Sequence, residues 1–404
     1  MNSAEPARQG SLRERNLALV ARQVIDAAEP LSRADLAAMT GMTRATVSTL
    51  VDQLVAAGIL TELAPVARSG PGRPAVPLAP AARTIVGLGL EVNVDYLGVR
   101  LIDLTGAVVD EIVLAENLRG SPATATLARL GQLARDIITR AESRDMRVAG
   151  AHLALPGLVD TGSGVLRIAP NLGWSGIEPL PLLGLPDGLP TAVGNEAKLA
   201  ALAQLWGCPA ARRTSRTFLY VSGDVGVGAA IVIDGELFGG GHGWSGELGH
   251  VTVDPSGPAC RCGANGCLER YAGKEVLVDG VGLDIDVPGD VLADRLGAED
   301  DAARAAVDTA GTALGQAMAN AVNLLDIDRV LLGGVYTGLV PRLRPAIIAQ
   351  LESRVLAAPW APVWIDPAPV ADHAALTGGA VTVLRAVVDN PMPWTARQAR
   401  AVPV

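Results

Sequence analysis

The feature that most limits the possible folds of this chain is a repeated order of predicted strands. Residues 84–109 predict a strand, a turn, a second strand that ends in Leu101-Ile102-Asp103, another turn and a third strand. Residues 217–238 repeat this order, with a middle strand that ends in Val232-Ile233-Asp234. A helical stretch follows each unit, at 124–143 and at 302–325. Such a duplication predicts two α/β lobes, and the crevice between lobes is the usual place for a ligand.

The first eighty residues show a different pattern, three helices and a strand pair. Ser32, with Asp35 three residues later, is the start signal of a short second helix, and Thr43 is the predicted cap of a third. Two helices separated by a short glycine-containing turn are typical of a helix-turn-helix. The glycine- and arginine-rich stretch 68–74 then predicts the tip of a wing. We therefore expect an α+β winged helix-turn-helix domain over residues 1–80.

Composition restricts the class of protein but leaves its partners open. The chain has 404 residues, of which 49% are hydrophobic and 19% charged, the balance of a globular protein with more than one domain. Its net charge is −9, yet the first eighty residues hold eight arginines and seven acidic residues, so the excess lies further along. A local cationic face suffices for DNA binding, because phosphate contacts are short-ranged in salt. Residues 1–10 are polar and no run of about eighteen apolar residues occurs, so we expect no membrane span and a cytoplasmic, nucleoid-associated location.

Three of the four cysteines lie within eight positions, in the segment His250-x9-Cys260-x-Cys262-x4-Cys267. In a reducing compartment, closely spaced cysteines indicate a metal site rather than disulfides. Three thiolates and one imidazole are a common tetrahedral set for Zn²⁺, and a site with four protein ligands is structural because no position stays open. We therefore predict one structural Zn²⁺ per chain on these four residues. The alternative is three unrelated thiols near a surface histidine.

The third predicted helix has one apolar stripe, and the other side of its first two turns is polar. Residues on that outer side reach base edges in the major groove when such a helix binds DNA. They are Thr43, Arg44, Ala45, Ser48 and Thr49. Arg68 and Arg73 in the predicted wing are placed to enter the minor groove, where narrow A·T tracts attract arginine. The alternatives are a merely solvated Arg44 and incidental charge in a flexible linker.

A glycine-rich segment at 239–250 ends in Gly-Glu-Leu-Gly-His, and the segment Cys-x-Cys-Gly-x-x-Gly-Cys-x-Glu follows at 260–269. Together they resemble the ROK family of repressors and sugar kinases, in its transcription-factor branch. The resemblance also covers the helix-turn-helix, the Gly-Arg-Pro of the wing and the two strand repeats. It implies an α/β actin-like fold, a duplicated ribonuclease-H-like pair of lobes, over residues 83–390. The implied lobes are roughly 83–195 with the C-terminal helix, and 196–375.

The same resemblance implies where a small sugar effector would bind. The positions that match the family's sugar contacts are Asn171, Asn195, Glu196, Glu247, His250 and Glu269. It gives His250 two contacts, one ring nitrogen on the metal and the other near the sugar. The metal would then position the sugar-binding loop.

The phosphate-binding turns of the family's kinases are altered in this chain. Their Asp-x-Gly-Gly-Thr becomes Glu91-Val92-Asn93-Val94-Asp95, and their Gly-Thr-Gly becomes Asp224-Val225-Gly226. The added carboxylates of Asp95 and Asp224 would repel nucleotide phosphates. Glu196 aligns with the catalytic aspartate, and its extra methylene moves the base by about an ångström. We therefore predict a sugar sensor without useful kinase activity and with no catalytic residues.

These observations predict a sugar-responsive transcription regulator, a repressor of carbohydrate metabolism. A single module with few cations binds DNA weakly, so we expect a homodimer or homotetramer on a palindromic operator. Two alternatives stay open. One is an active, ATP-dependent ROK sugar kinase that carries a DNA-binding head, and the other is a DNA-binding scaffold that has lost its ligand.

Overall fold

The computed structural model describes residues 9–65, 76–207, 215–298 and 300–396. The N-terminal part contains helices α1 (Gln9–Ile25), α2 (Arg33–Thr40) and α3 (Arg44–Ala56), and strands β1 (Leu31–Ser32), β2 (Leu60–Glu62) and β3 (Pro77–Pro80). The strands form an antiparallel sheet in the order β1-β3-β2. Ser32 and Asp35 make the reciprocal capping box of α2, and the Thr43 side chain caps α3. The winged helix-turn-helix is confirmed, while Arg68 and Arg73 lie outside the described residues.

The first lobe is a five-stranded sheet with helices on its faces. Its elements are β4 (Ile85–Val92), β5 (Tyr96–Asp103), β6 (Val108–Ala115), α4 (Ala123–Glu142), β7 (Arg147–Leu155), β8 (Leu158–Asp160), β9 (Val165–Ala169), β10 (Trp174–Ile177), α5 (Pro179–Leu183), β11 (Thr191–Asn195) and α6 (Glu196–Trp206). The sheet order is β11-β7-β4-β5-β6, in which β5 is antiparallel to both neighbours and β4, β7 and β11 are parallel. Strands β8, β9 and β10 form a separate small antiparallel sheet.

The second lobe repeats this topology. Its elements are β12 (Phe218–Gly223), β13 (Val227–Ile233), β14 (Glu236–Leu237), α7 (Glu269–Ala272), α8 (Lys274–Gly280), α9 (Gly289–Leu296), α10 (Asp301–Leu325), β15 (Arg329–Gly334), α11 (Tyr336–Arg354), β16 (Trp364–Pro367), α12 (Ala374–Asp389) and α13 (Met392–Ala396). The sheet order is β14-β13-β12-β15-β16, with the meander antiparallel and the last two strands parallel. Both sheets therefore use their successive strands in the same order and direction, which confirms the predicted duplication and the ribonuclease-H-like α/β fold.

Helix α12 returns to the first lobe, where it packs against α6, β4 and β7. It also contacts α1, so that one apolar cluster contains residues of the winged helix-turn-helix, of α12 and of the first sheet. Members from these three parts include Val20, Leu384 and Ile102. The winged helix is thus packed onto the lobe rather than held only by its connecting chain. The boundaries 1–80 and 83–390 stay predictions. Among the described residues, no helix combines the length and the apolar character needed to cross a membrane.

Candidate functional site

The four predicted metal ligands form one cluster. Their donor atoms, one from each of His250, Cys260, Cys262 and Cys267, all lie within 4.8 Å of one another. Cys260 Sγ is 3.9 Å from His250 Nδ1, and Cys262 Sγ is 3.6 Å from Cys267 Sγ. Tetrahedral bonds of about 2.0 Å to nitrogen and about 2.3 Å to sulfur place ligand atoms at separations of this size. The residues therefore fit a metal ion with soft ligands.

The chain bends around this cluster at glycine positions. Gly263 and Gly266 have φ angles of 96° and 64°, in the left-handed region that favours glycine. A Cβ atom at Gly266 would lie 1.6 Å from the carbonyl oxygen of Asp254, so a larger residue is excluded there. The backbone N–H of Ala264 is the main cause that lowers the pKa of Cys262, whereas burial raises the pKa of Cys260 and of Cys267, so one of the three thiols favours the thiolate form in the metal-free protein.

The predicted sugar residues lie on both lobes and face the same cleft. Asn195 caps α6 by accepting from the backbone N–H of Lys198, and its amide donates to the carbonyl of Gly157 at 3.0 Å. Glu196 is the first residue of α6, and its pKa is raised by burial first and then by the charges of nearby carboxylates, that of Glu247 among them. His250 Nδ1 lies 3.8 Å from Glu269 Oε1.

Gly226 marks where the two lobes meet. A Cβ atom at this position would lie 2.9 Å from Glu269 Oε2 and 3.4 Å from Asn171 Nδ2. Asn171 belongs to the turn that follows β9, in the first lobe, whereas Glu269 begins α7 in the second. The structure thus brings the six predicted sugar positions to one cleft beside the metal cluster. Their contact with a sugar stays a prediction.

Close backbone packing holds the loop that carries Glu247. Its neighbours Gly246 and Gly249 face β13, where a Cβ atom would lie 2.6 Å from the carbonyl of Ala229 and 2.2 Å from that of Val227. Both approaches exclude any side chain. The glycines therefore press the loop onto β13 and set the position of Glu247 between them.

Three carboxyls accumulate where the lobes meet: Glu91 is buried, Glu196 is half-buried and Asp224 is exposed. Burial raises the pKa of Glu91 to about 7 and that of Asp224 to about 6, and it raises the pKa of Glu196 well above its usual range. The charges of Glu91 and Asp224 add to the shift of Glu196. Charged carboxylates lose hydration here without a full set of cationic partners, so part of this group is protonated near neutral pH.

An ion pair bridges the two lobes at the altered phosphate turn. Asp95, in the turn between β4 and β5, accepts from Lys274 Nζ at 2.6 Å and from Arg119 Nη1 at 3.3 Å. The side chain of Lys274 is 8% exposed and that of Asp95 is 29% exposed. The backbone N–H of Lys274 donates to the carbonyl of Asp224 in the other turn. We expected Asp95 to present a free negative charge, but in the structure Lys274 and Arg119 neutralise it.

The face of α3 that we predict to contact DNA is exposed to solvent. Thr43, Arg44, Ala45 and Thr49 are exposed, and Ser48 is half-buried. The Thr49 hydroxyl donates to the carbonyl of Ala45 at 3.1 Å, so it is engaged within the helix. Arg44 has no ion pair among the described residues, whereas Arg33 pairs with Asp52 and Glu62. Arg44 is therefore the cation of this helix that is available to DNA, and its base contact stays a prediction.

Comparison with known proteins decides the family. The ROK family model matches residues 88–386, and a MarR family model matches residues 20–69. The chain belongs to the ROK family. It is 28% identical over 328 residues to the xylose repressor of Bacillus spizizenii, covering 81% of this chain and 84% of the repressor. Matched segments cover between 63% and 84% of the xylose repressors compared.

Both branches of the ROK family appear among the similar proteins. A glucokinase of Halalkalibacterium halodurans is 29% identical over 264 residues, covering 61% of this chain and 79% of the kinase. Among solved structures, a ROK family transcriptional regulator described as a homologue of the E. coli MLC protein superposes with a TM-score of 0.76 at 24% identity. That superposition covers 96% of this chain and 99% of the other, so the whole two-domain fold is shared.

Sequence reasoning on this ROK protein missed the part that lysine plays in the cleft. Lys198 and Lys274 are its only lysines, and neither was among the predicted site residues. Lys198 Nζ donates to the carbonyl of Gly243 in the glycine-rich loop, and burial lowers its pKa. The composition already pointed to these residues, because this arginine-rich chain has two lysines and both lie next to segments that carry predicted site residues. Arg261, between two cysteines of the metal cluster, also reaches Asn171 Oδ1 at 3.3 Å across the cleft.

Proposed function

We propose that this ROK protein is a sugar-responsive DNA-binding transcription regulator, a repressor of carbohydrate genes, whose kinase-like domain senses the sugar without phosphorylating it. The observation that supports this most directly is the convergence of Asn171 and Glu269 at Gly226, beside Glu247 and His250. Amide and carboxylate groups from two lobes suit the vicinal hydroxyls of a sugar, since they combine donors with bidentate acceptors. Relatives named xylose repressors make aldopentoses the first sugars to test.

We also propose that the metal is one structural Zn²⁺ per chain. His250, Cys260, Cys262 and Cys267 would hold it, and four protein ligands leave no open position for chemistry. When bound, the ion would fix the loop between 250 and 269, which carries both His250 and Glu269 of the sugar set. A metal-bound histidine has a defined ring orientation, and this would direct its second nitrogen.

Loss of kinase activity is supported by what lies at the phosphate turn. A nucleotide phosphate approaching Asp95 would have to displace its carboxylate from Lys274, and it would meet the carboxyl of Asp224 behind it. Phosphoryl transfer depends almost entirely on positioning and on stabilising phosphate charge. In this chain the lysine and the carboxylate at this turn, Lys274 and Asp95, instead bind each other.

On the DNA side, Thr43, Arg44, Ala45, Ser48 and Thr49 would read the major groove, and Arg68 and Arg73 the minor groove. One such module neutralises few phosphates, so a homodimer or homotetramer on a palindromic operator would supply the affinity. We place this regulator in the cytoplasm, at the nucleoid. Sugar binding would change the relative placement of the two reading heads.

The test combines binding and turnover. Thermal shift and calorimetry with D-xylose, D-glucose and N-acetyl-D-glucosamine, with and without ATP, should identify a sugar that binds without ATP. A gel shift on duplexes selected from a random pool should respond to that sugar, and Arg44→Ala should weaken DNA binding. DNA binding that no sugar in the panel changes would contradict the proposal and favour a scaffold without ligand.

The second candidate is a sugar kinase with a DNA-binding head. It is favoured by the similarity to a glucokinase and by Glu196, a half-buried carboxyl with a raised pKa at the position that aligns with the catalytic base. A coupled assay with ATP and the bound sugar distinguishes the two. Turnover in the usual kinase range of about 1–100 per second that Glu196→Gln abolishes would establish the kinase.

A further inference from the structure

The inference concerns how the cleft and the DNA-reading module are joined. Helix α6 begins in the cleft, where Asn195 caps it and Glu196 opens its first turn. It ends at Trp206, whose ring lies 5.3 Å from the guanidinium of Arg385 on α12. Arg385 Nη1 in turn lies 2.6 Å from Asp26 Oδ1, directly after α1 of the DNA-reading module. A continuous path of contacts therefore runs from the cleft to the winged helix.

The two helices on this path are locked by backbone contact. A Cβ atom at Gly378 of α12 would lie 1.7 Å from the carbonyl oxygen of Leu199 on α6. On the opposite side, a Cβ atom at Gly89 of β4 would lie 1.9 Å from the carbonyl of Leu376. Backbone packed this closely cannot slide without steric overlap, so α6 and α12 move as one body with the sheet.

The C-terminal half of α12 packs against α1 through apolar and charged contacts. Val381, Leu384 and Val388 lie in one apolar cluster with the buried face of α1. Arg22 Nε lies 2.6 Å from Asp389 Oδ1, and Arg385 Nε lies 3.3 Å from the same oxygen. The side chain of Arg385 is 19% exposed, so its charge is largely shielded from water. The side chains of Asp26, Arg22 and Asp389 are 45%, 46% and 39% exposed, so the apolar contacts of this seam hold α1 to α12 more strongly than the ion pairs do.

We propose that α6 and α12 form a rigid lever that carries the sugar signal to the DNA-reading module, with Arg385 as its joint to α1. Movement of the α6 N-terminus when a ligand contacts Asn195 and Glu196 displaces Trp206 and α12, and the module follows because Arg385 and the apolar seam hold it. The inference rests on the proposed sugar site. It adds the path by which sugar binding would change DNA binding, and it assigns a positioning role to Arg385, which lies outside the sugar site.

The test measures sugar affinity and DNA affinity separately in the full chain. Arg385→Met removes the charge but keeps an apolar stem, and Asp26→Asn removes the partner at an exposed position if Arg385→Met folds poorly. Arg129→Met, at an exposed pair with Glu116 on the first lobe, is the matched control. DNA is the duplex selected by the wild type, and the sugar is the one in the xylose, glucose and N-acetylglucosamine panel that binds it.

In the wild type and in Arg129→Met, we expect the sugar to change DNA affinity by about fivefold or more. In Arg385→Met and Asp26→Asn we expect that change to fall below about twofold, with sugar affinity within about twofold of the wild type. Undiminished sugar control of DNA binding in both seam variants would overturn the lever while leaving the proposed function intact.

A second experiment needs no sugar, so it can test the lever even if the proposed sugar site is wrong. Asn195→Ala disturbs the cleft end of α6, and its effect on DNA affinity is compared with and without Arg385→Met. The lever predicts that the effect of Asn195→Ala largely disappears in the double variant, whereas independent sites give multiplied effects. Multiplied effects, or no effect of Asn195→Ala on DNA affinity, would overturn the lever even where no sugar in the panel binds.

Discussion

The ion pair between Asp95 and Lys274 offers the sharpest test of the cleft. The variant Lys274→Met keeps the buried carbon stem but removes the ammonium, so Asp95 is left with Arg119 at 3.3 Å. Removing one partner of a fully buried pair costs about 3–5 kcal/mol. Because Asp95 is 29% exposed and keeps a second cation, we expect about 1–3 kcal/mol in the free energy of unfolding. Asp95→Asn should cost a similar amount, since it leaves a buried ammonium without its partner.

Urea unfolding followed by tryptophan fluorescence measures this loss for both single variants and for Asp95→Asn/Lys274→Met. The double variant should be less destabilised than the sum of the singles, with a coupling energy of about 1–2 kcal/mol. The exposed pair of Arg129 and Glu116 is the control and should give less than about 0.5 kcal/mol. The cost of Lys274→Met should also be larger at pH 8 than at pH 5, because Lys274 lowers the pKa of Asp224, which is about 6, and stabilises only its ionised form. Additive single variants at both pH values would refute the bridge between the lobes.

Three further predictions concern other parts of the chain. Burial raises the pKa of Glu91 from 4.5 to about 7, so the stability that its protonated form contributes is lost as pH rises through 7. Glu91→Gln should therefore make the melting temperature less dependent on pH between pH 5 and 8.5. A pH dependence equal to that of the wild type would contradict this. Gly378→Ala should lower the free energy of unfolding by about 3 kcal/mol or prevent folding, whereas Gly289→Ala, which meets no atom within 4 Å, should be tolerated; equal stability of the two in urea would rule out the backbone contact. Elemental analysis should find one zinc ion per chain in the wild type, and Cys262→Ser should lose it, while Cys208→Ser, which is not one of the four predicted ligands, should keep it. Zinc retained in Cys262→Ser would exclude the four-ligand site.

The parts of the fold that could be predicted from the sequence are those with local physical causes. The capping box of Ser32 and Asp35 satisfies backbone groups within four residues, so its signal is complete in the local sequence. The two strand meanders could be predicted because alternation and turn residues repeat in both copies. The metal cluster followed from spacing, since thiols so close along the chain are also close in space.

The contacts that join the domains could not be predicted in this way. Arg385 and Asp26 lie 359 positions apart, and neither sits in a motif. Lys274 pairs with Asp95 at a separation of 179 positions, and only the closure of one lobe on the other brings them together. The C-terminal helix was assigned to the first lobe from the family resemblance, but its packing on α1 depends on the shape of both domains. Contacts of this kind follow from tertiary packing, for which periodicity and local propensity carry no information.

The ion pair also changes the reason for expecting no kinase activity. The sequence argument assumed that Asp95 repels phosphate as a free charge, but Lys274 and Arg119 cancel most of that repulsion. What opposes a nucleotide is competition, since its phosphate would have to replace a carboxylate already bound to the lysine across the cleft. Exchange of one anion for another brings little net gain, and it opens a contact that holds the lobes together. The carboxylate of Asp95 therefore occupies the lysine that joins the two lobes, and this supports the proposal that the cleft responds to a sugar rather than to a nucleotide.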